Sequence, residues 1–391
     1  MIASWPFYSE AEVNAVSEIL KSGKVNYWTG ENVKKFEEEF SKWVGVEKSL
    51  SISNGSLALS ASYLAIGLQE GDEIITTPRT FLATSSSAML LKSKPIFADV
   101  SEDSGCITPE TIEPLISKKT KAISVVHLAG WPAEIEEICK LAKSYNLYII
   151  EDCAQAHGAK VEINGEKKSV GSFGDISAWS FCQDKIISTG GEGGMISSSD
   201  EKLINNVFAI RDHGKTPISL QREKNKIGFR WVHDKLGSNF RLTEMQAAIG
   251  RIQLKNINYT REIRAKNASI LLDNLRDLSA IKIPFPPEYI THAWYKFYCY
   301  VVPKYLNSDW SRDRIIKEIN IKGFPAFQGS CSEIYLEKCF LERGLAPKKR
   351  LPIAKKLGET SLMFLIHPTI TNYEMTKYAE TIRSVIKEAS T

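Results

Sequence analysis

The stretch KSLSISNGSLALSASYLAIGL, residues 48–68, begins with apolar residues that alternate with serines and continues after Gly55 with small and apolar residues at helical spacing. The same change from a strand-like run to a helical run recurs as far as residue 152. The further strand-like runs are EIITTP (73–78), PIFADV (95–100), KAISVVHL (121–128) and LYIIED (147–152). Strands that alternate with helices indicate a parallel sheet with crossover helices. The sequence therefore predicts an α/β fold with a mostly parallel sheet.

Both sides of this stretch carry helical patterns. Ser9 and Glu12 have the spacing of a capping box, and the apolar residues that follow predict a helix that ends near Gly23. A long helix is predicted from Arg241 to about Leu275.

The pattern changes after this helix. A proline-rich segment (283–289) precedes WYKFYCYVV (294–302), which alternates like an antiparallel strand, and two surface helices follow at 311–320 and 373–389. We therefore predict a large domain over residues 1–255, which includes the N-terminal segment, and a smaller C-terminal α+β domain over residues 256–391.

The composition is that of an ordinary globular protein, with 391 residues, 43% of them hydrophobic and 25% charged. It excludes a disordered chain, a collagen and a coiled coil. The formal net charge of +4 is small for a chain of this size and forms no basic stripe, so we expect no nucleic-acid partner.

Cysteine usage and the N-terminus indicate the compartment. The seven cysteines are an odd number without a CxxC pair, which favours a reducing environment. The N-terminus lacks the basic and apolar regions of a signal peptide, and no segment approaches about 18 uninterrupted apolar residues. We therefore expect a cytoplasmic protein without a membrane partner.

Lys185 lies in the most informative segment, GSFGDISAWSFCQDKIISTGGEGGM (171–195). Four glycines close behind it allow the backbone to approach a bound ligand. A solvated lysine in a flexible loop is the alternative that this segment alone leaves open.

Polar and aromatic residues follow several predicted strands directly. Asp152 ends one strand, where a carboxylate can bind a ribose, a metal or a protonated ring nitrogen. Gly55 and Ser56 begin a helix and offer N–H groups to an anion, or simply cap it. Phe81 follows a third strand and either stacks on a flat cofactor or packs in the core. We expect these residues at one edge of the sheet, where ligands of α/β proteins bind.

A series of motifs resembles the DegT/DnrJ/EryC1/StrS family. The motifs are SNGSLALSASYLAIGLQEGDEI, PIFADV, KAISVVHLAGWPAEIEEICKLAK, YIIEDCAQAHGA, GSFGDISAWSF with the following lysine, GGEGGM, RDHGK and LGSNFRLTEMQAAIGRIQL. They occur in order from about residue 24 to 260, and the resemblance continues more weakly through 351–368. It implies a sugar aminotransferase of the aspartate aminotransferase-like fold (fold type I) that uses pyridoxal 5'-phosphate (PLP), with pyridoxamine 5'-phosphate as its intermediate form.

The resemblance implies a role for each matching residue. Lys185 carries the cofactor and moves the proton, and Asp152 binds the pyridinium nitrogen. The other implied cofactor contacts are Gln155 near the ring hydroxyl, Phe81 on the ring face, and Gly55, Ser56 and Ser180 at the phosphate. Asn239 is implied to reach the phosphate of a second subunit, which predicts a homodimer with shared active sites.

Substrate contacts are less specific. Trp28 and Thr29 match the stretch that helps to bind the sugar nucleotide, although packing under the N-terminal helix is the alternative. Arg79 departs from the family pattern, and we expect it either to contact the donor carboxylate or to lie on the surface. Asp184 also departs from it, and we expect its side chain to point away from Lys185 as a solvated charge. The histidines show no metal-ligand spacing, so no metal site is predicted.

The reaction implied is a two-step amino transfer. L-Glutamate gives its amino group, and the amine then passes to a nucleotide-linked keto-deoxy sugar for O-antigen, capsule or glycan biosynthesis. Overall resemblance favours a UDP-4-keto-6-deoxyhexose or its 2-acetamido derivative. C3 amination of a dTDP-3-keto-6-deoxyhexose stays open. A PLP-dependent sugar dehydratase is disfavoured because those enzymes replace Lys185 with histidine, and the intact Lys185 and Asp152 also disfavour a non-catalytic regulator.

Overall fold

The structure, a computed structural model, describes residues 3–390. Its strands are β1 (Lys48–Ile52), β2 (Glu73–Thr76), β3 (Lys94–Phe97), β4 (Thr120–Val126), β5 (Tyr148–Asp152), β6 (Lys160–Ile163), β7 (Glu166–Ser169), β8 (Ile176–Ser180), β9 (Gly194–Ser198), β10 (Ile281–Lys282), β11 (Ile290–Thr291), β12 (Phe297–Val301), β13 (Ala326–Phe327) and β14 (Ser361–Phe364). Its α-helices are α1 (Glu10–Ser22), α2 (Asn32–Val44), α3 (Gly55–Ala65), α4 (Ala83–Met89), α5 (Pro109–Ile112), α6 (Ile135–Ser144), α7 (Glu201–Arg211), α8 (Pro217–Arg222), α9 (Glu244–Lys255), α10 (Ile257–Leu275), α11 (Arg312–Ile321), α12 (Lys338–Leu341), α13 (Pro352–Thr360) and α14 (Asn372–Ala389).

A seven-stranded sheet forms the centre of the larger unit, with the strand order β1-β9-β8-β5-β4-β2-β3. Strand β9 is antiparallel to both of its neighbours, and the other pairs are parallel. Strands β4, β5 and β8 are buried along almost their whole length because helices cover both faces. This confirms the predicted α/β fold with a mostly parallel sheet.

The shared direction of β1, β5 and β8 decides where the polar residues meet. Asp152 and Ser180 are the last residues of β5 and β8, and α3 begins shortly after β1. Because carboxyl ends of parallel strands lie at one edge, these three features come together there.

A second unit contains the four-stranded antiparallel sheet β10-β12-β14-β13 and the helices α10, α11 and α14. Its core includes Leu271, Phe297, Ile315, Phe364 and Tyr378. Strand β12 lies inside the predicted strand 294–302.

The predicted helix from Arg241 to Leu275 is two helices. Thr243 caps α9 and forms a capping box with Gln246, so the helix begins at Glu244 rather than at Arg241. Asn256 then separates α9 from α10. The predicted domain boundary falls at this break and stays a prediction, and the predicted domain ends at residues 1, 2 and 391 lie outside the described residues.

The chain segment before β12 packs against the larger unit. Strand β11 pairs with β6, and Tyr295 packs into the aromatic core around Trp179 and Phe181. The segment that leads into β12 therefore lies against the carboxyl edge of the large sheet. Within residues 3–390, no helix is both long and apolar enough to cross a membrane.

Candidate active site

A cavity of about 690 Å³ opens at the carboxyl edge of the large sheet. It is lined by seven of the eight residues that the sequence indicated as cofactor contacts. These seven are Gly55, Ser56, Phe81, Asp152, Gln155, Ser180 and Lys185. The eighth, Asn239, is exposed outside this cavity, beside Asp212.

Helix α3 presents its N-terminus to the cavity. Asn54 caps the helix, since its Oδ1 accepts a hydrogen bond from the Leu57 N–H at 2.9 Å. The N–H groups of Gly55 and Ser56 lie in the first turn, where helix amides have no acceptor within the helix. Ser180 lies so close that a Cβ at position 55 would stand 2.6 Å from its Cβ. Two amides, a hydroxyl and the helix dipole together suit a phosphate group.

Asp152 also lines the cavity and is buried. Its Oδ2 accepts a hydrogen bond from Thr84 Oγ1 at 2.8 Å, and its Oδ1 accepts one from the Ala154 N–H at 3.2 Å. Burial raises the pKa of this carboxyl, although both hydrogen bonds and the charge of Lys185 oppose the shift. A buried carboxylate of this kind gains from a cationic partner such as a protonated ring nitrogen.

Gln155 and Phe81 complete the walls. Gln155 Oε1 accepts a hydrogen bond from the Ala129 N–H at 2.8 Å, and its side-chain amide group has no protein acceptor among residues 3–390. Phe81 is 68% exposed, which is unusual for its type. An exposed ring at the cavity wall is available for stacking on a flat ligand.

Lys185 is held by two neighbours. Its side chain is 15% exposed, and its Nζ lies 3.4 Å from the Tyr295 hydroxyl and 3.7 Å from Asp184 Oδ1. The Tyr295 hydroxyl donates a short hydrogen bond to Asp184 Oδ2. The expectation that Asp184 points away is therefore wrong, because Tyr295 turns the carboxylate toward the lysine.

The charges around Asp184 agree with this geometry. Burial would raise the pKa of Asp184, but Lys185, the Tyr295 hydrogen bond and Lys296 outweigh it and lower the pKa. Burial and the adjacent carboxylate raise the pKa of Tyr295 well above its usual range, so the phenol stays a hydrogen-bond donor.

The N-terminal segment around Trp5 and Tyr8 packs against the loop that carries Lys185. Trp5 Nε1 donates a hydrogen bond to the Lys185 carbonyl oxygen at 2.9 Å, and the Tyr8 hydroxyl lies 2.9 Å from Ser188 Oγ. The Gly190 N–H donates to the same Tyr8 oxygen at 3.1 Å. This segment therefore supports the backbone that carries Lys185.

The three residues indicated as substrate contacts lie outside the cavity wall. Trp28 and Thr29 are exposed, and the Lys215 ammonium lies over the Trp28 ring at 4.7 Å. Arg79 is completely buried, so the surface alternative is wrong. Its Nη1 donates to Ser332 Oγ at 2.8 Å, and its guanidinium packs on two tyrosine rings of β12. Arg79 therefore packs inside the protein and is not among the residues that line the cavity.

One buried cluster has the composition of a metal site: His127, Glu151 and Cys153. The ring nitrogens of His127 and the carboxylate of Glu151 already have protein partners. His127 Nδ1 accepts from the Ala133 N–H at 3.0 Å, so its Nε2–H donates to Glu151, also at 3.0 Å. Glu151 accepts three further backbone N–H groups, from residues 171, 173 and 174. The cluster is therefore explained as a hydrogen-bonded support for the end of β5.

Sequence reasoning missed Thr84 and Tyr295. Thr84 lies in α4, one helical turn after Thr80, and nothing in its local pattern marks a contact with Asp152. Tyr295 comes from the segment before β12, and only the folded chain brings it to Lys185.

Residues 6–383 match the sequence model of the DegT/DnrJ/EryC1/StrS aminotransferase family. The chain belongs to this family. The aminotransferase is 36% identical over 273 residues to GDP-perosamine synthase of Escherichia coli O157:H7, covering 70% of this chain and 71% of that one. It is 30% identical over 357 residues to the UDP-N-acetyl-3-dehydro-alpha-D-glucosamine 3-aminotransferase of Acidithiobacillus ferrooxidans, covering 91% and 89%. A solved aminotransferase from Psychrobacter cryohalolentis is 46% identical, with a TM-score of 0.96 over the full length of both chains.

Enzymes of this family use PLP, and the cavity fits that cofactor. The α3 amides suit its phosphate, the buried Asp152 suits its ring nitrogen, and the Lys185 amine would suit its aldehyde. The exposed Phe81 ring matches its flat face. The aminotransferase therefore has a suitable group for each part of the cofactor.

Proposed function

We propose that this aminotransferase moves the amino group of L-glutamate to a nucleotide-linked keto-deoxy sugar, a UDP-4-keto-6-deoxyhexose or its 2-acetamido derivative. The product would serve O-antigen, capsule or glycan biosynthesis in the cytoplasm. The observation that carries the proposal is that Lys185, Asp152 and the N-terminus of α3 line one cavity. The family and its nucleotide-sugar relatives support the acceptor class.

The bound cofactor supplies an electron sink for the carbon that loses a proton. The Lys185 amine takes that proton and returns it one position away, because its Nζ projects into the cavity. Asp152 holds the proton on the ring nitrogen, while Gln155 orients the ring and Phe81 covers it. Tyr295 and Asp184 keep the free lysine amine in place between the two proton transfers.

We further propose a homodimer in which each subunit completes the partner's site. Large apolar residues are crowded and exposed in one segment, here termed the apolar segment: Ile227, Phe229, Trp231 and Leu236, each at least 74% exposed. Such a cluster on one chain indicates a protein interface. Asn239, the implied phosphate contact of a second subunit, lies three residues beyond it.

Optical spectroscopy tests the transfer. The protein reconstituted with PLP should lose its yellow colour with L-glutamate and regain it with a keto sugar. Lys185→Ala should abolish both changes, and Lys322→Ala, which removes an exposed lysine, should not. Failure of glutamate and other amino acids to bleach the wild-type protein would contradict the proposal.

A second experiment identifies the sugar that accepts the amine. UDP-, dTDP- and GDP-linked 4-keto and 3-keto sugars are each added to the bleached enzyme. Mass spectrometry and NMR of the product identify the nucleotide and the carbon that gains the amine. C3 amination is the second candidate, because the Acidithiobacillus ferrooxidans relative is a 3-aminotransferase that matches 91% of this chain.

A further inference from the structure

Lys296 is a second lysine beside the catalytic one. Its ammonium lies 4.8 Å from the centroid of the Tyr295 ring, and the Lys185 ammonium lies 5.0 Å from the same centroid. Lys296 is half-buried in a crevice between β12 and the loop that contains Ala129. The Ala129 N–H donates a hydrogen bond to Gln155 Oε1, so the wall of the crevice contacts a residue that lines the cofactor cavity.

The Lys296 ammonium lacks an anionic partner. Among residues 3–390, no carboxylate lies within ion-pair distance of it, and Asp184, the acid that acts on it, is already bound by Tyr295 and Lys185. Burial, together with the charges of Arg264 and Lys185, lowers the pKa of Lys296 to about 8. A desolvated ammonium without a counter-charge is costly in a ligand-free protein.

Arg264 increases the positive charge of this region. Its side chain is buried, and its Nη1 donates to the Tyr295 carbonyl oxygen at 3.2 Å. Its Nε and Nη2 have no hydrogen-bond partner within the described part of the chain. The neighbouring His292 and His367 are neutral, since burial lowers the pKa of each to about 3. Within the described residues, Asp184 is therefore the one carboxylate that acts on all three cationic side chains, Lys185, Lys296 and Arg264.

We propose that Lys296 binds a carboxylate of the amino-acid donor, with Arg264 strengthening the local positive potential. An amino acid has a carboxylate on the carbon that bears its amine, so the carboxylate must lie close to Lys185 during the reaction. The negative charge of a nucleotide sugar is on its diphosphate, several bonds from the ketone. Lys296 would therefore act on the donor step and not on the sugar step. This inference rests on the proposed function and specifies how that site recognises its donor.

The test uses the PLP-loaded protein and glutarate, a dicarboxylate that has no amine and cannot react. Lys296→Met should weaken glutarate binding, measured by calorimetry, by about tenfold or more because a charge pair is lost. The apparent dissociation constant for L-glutamate in the bleaching reaction should rise by a similar factor. Recovery of colour with the keto sugar should change less than about twofold. Lys296→Arg, which keeps the charge, should restore most of the glutarate binding.

Lys304→Met is the matched control, because the Lys304 ammonium also lies over a tyrosine ring, at 4.7 Å from the centroid of Tyr305. It should leave glutarate binding unchanged. Unchanged glutarate binding in Lys296→Met would overturn the inference, and so would an equal loss in the sugar step. A different result would contradict the proposed function alone: glutarate binding depends on Lys296, but no keto sugar accepts the amine.

Discussion

At Lys185 the hydrogen bonding depends on a side chain far away in the sequence. Tyr295 contacts both Asp184 and the lysine, so a single phenol sets the distance between the carboxylate and the amine. The sequence alone favoured a solvated Asp184, since side chains of adjacent residues usually diverge. The phenol overrides that tendency because its burial makes an unpaired hydroxyl costly.

Tyr295→Phe should slow the bleaching of the cofactor by L-glutamate about 10- to 100-fold, as expected for the loss of a hydrogen bond to charged groups. PLP should still bind, and the pH midpoint of its absorbance change should shift, because Asp184 loses its donor. Rapid-mixing absorbance and a spectroscopic pH titration measure the two effects.

Tyr298→Phe is the control for this change, because Tyr298 follows in β12 and its hydroxyl accepts a hydrogen bond from the Ser330 N–H at 2.8 Å. It should leave the absorbance titration as it is in the wild-type protein. Tyr295→Phe with wild-type bleaching and titration would show that the phenol does not position the lysine.

His157 packs against Trp179 and Phe181, with ring centroids 5.3 and 5.7 Å apart, and is completely buried. Burial lowers its pKa to about 3, further helped by the charges of Lys185 and Arg264. The unfolded chain takes up a proton at this residue below pH about 6.5, whereas the folded chain does not. Stability is therefore lost as the pH falls from about 6.5 toward 3.

His157→Phe should remove that loss and flatten the pH dependence of the unfolding free energy by up to about 1.4 kcal/mol per pH unit in this range. Urea unfolding at pH 6.5, 5.5 and 4.5 measures the slope. An identical slope in the variant and the wild-type protein would mean that His157 is protonated in the folded state.

Helix α3 depends on one close approach. Because the backbone of Gly55 lies against Ser180, a side chain at position 55 pushes the N-terminus of α3 away from β8. The N–H groups of the first turn would then no longer point together at the proposed phosphate position.

Gly55→Ala should weaken PLP binding about tenfold or more, while the far-ultraviolet circular dichroism stays unchanged, because the displaced helix still forms. Ser180→Gly removes the two nearest atoms that a new Cβ would meet, the Ser180 Cβ and Oγ. The double variant should therefore bind PLP about as well as Ser180→Gly alone, which equilibrium titration of the cofactor can measure. Strictly additive losses would exclude the steric explanation.

Part of the secondary structure followed from local patterns, whereas several contacts did not. The strands near Ile52 and Ile150 and the helix after Asn54 are marked by hydrophobic period and capping residues, which depend only on neighbours in sequence. Strand β8, which ends at Ser180, was not predicted. The split at Asn256 was missed because both helices share one continuous apolar pattern. The positions of Arg79 and Tyr295 depend on how the second unit docks on the first, and no local period encodes that docking.

At the scale of the whole molecule, the apolar segment carries several large apolar side chains that the single chain leaves exposed. Trp231 is 74% exposed and stacks on Phe229 with the ring centroids 6.3 Å apart. The sequence could imply a second subunit only through the resemblance at Asn239, since an interface has no signature of its own in one chain.

Trp231→Glu should convert the proposed dimer to monomers, because a carboxylate in an apolar interface loses its hydration. Light scattering after size-exclusion chromatography measures the mass, and PLP occupancy should fall with it because the partner's contribution is lost. Tyr373→Glu is the matched control, since Tyr373 is 73% exposed on α14. A dimer that persists in Trp231→Glu would place the interface elsewhere.

The anchoring of Trp5 and Tyr8 beneath the lysine loop has a practical consequence for producing the protein. An affinity tag fused in front of Trp5 would begin only a few residues from the indole that holds the Lys185 carbonyl. Its linker would compete for that space and disturb the backbone that carries Lys185.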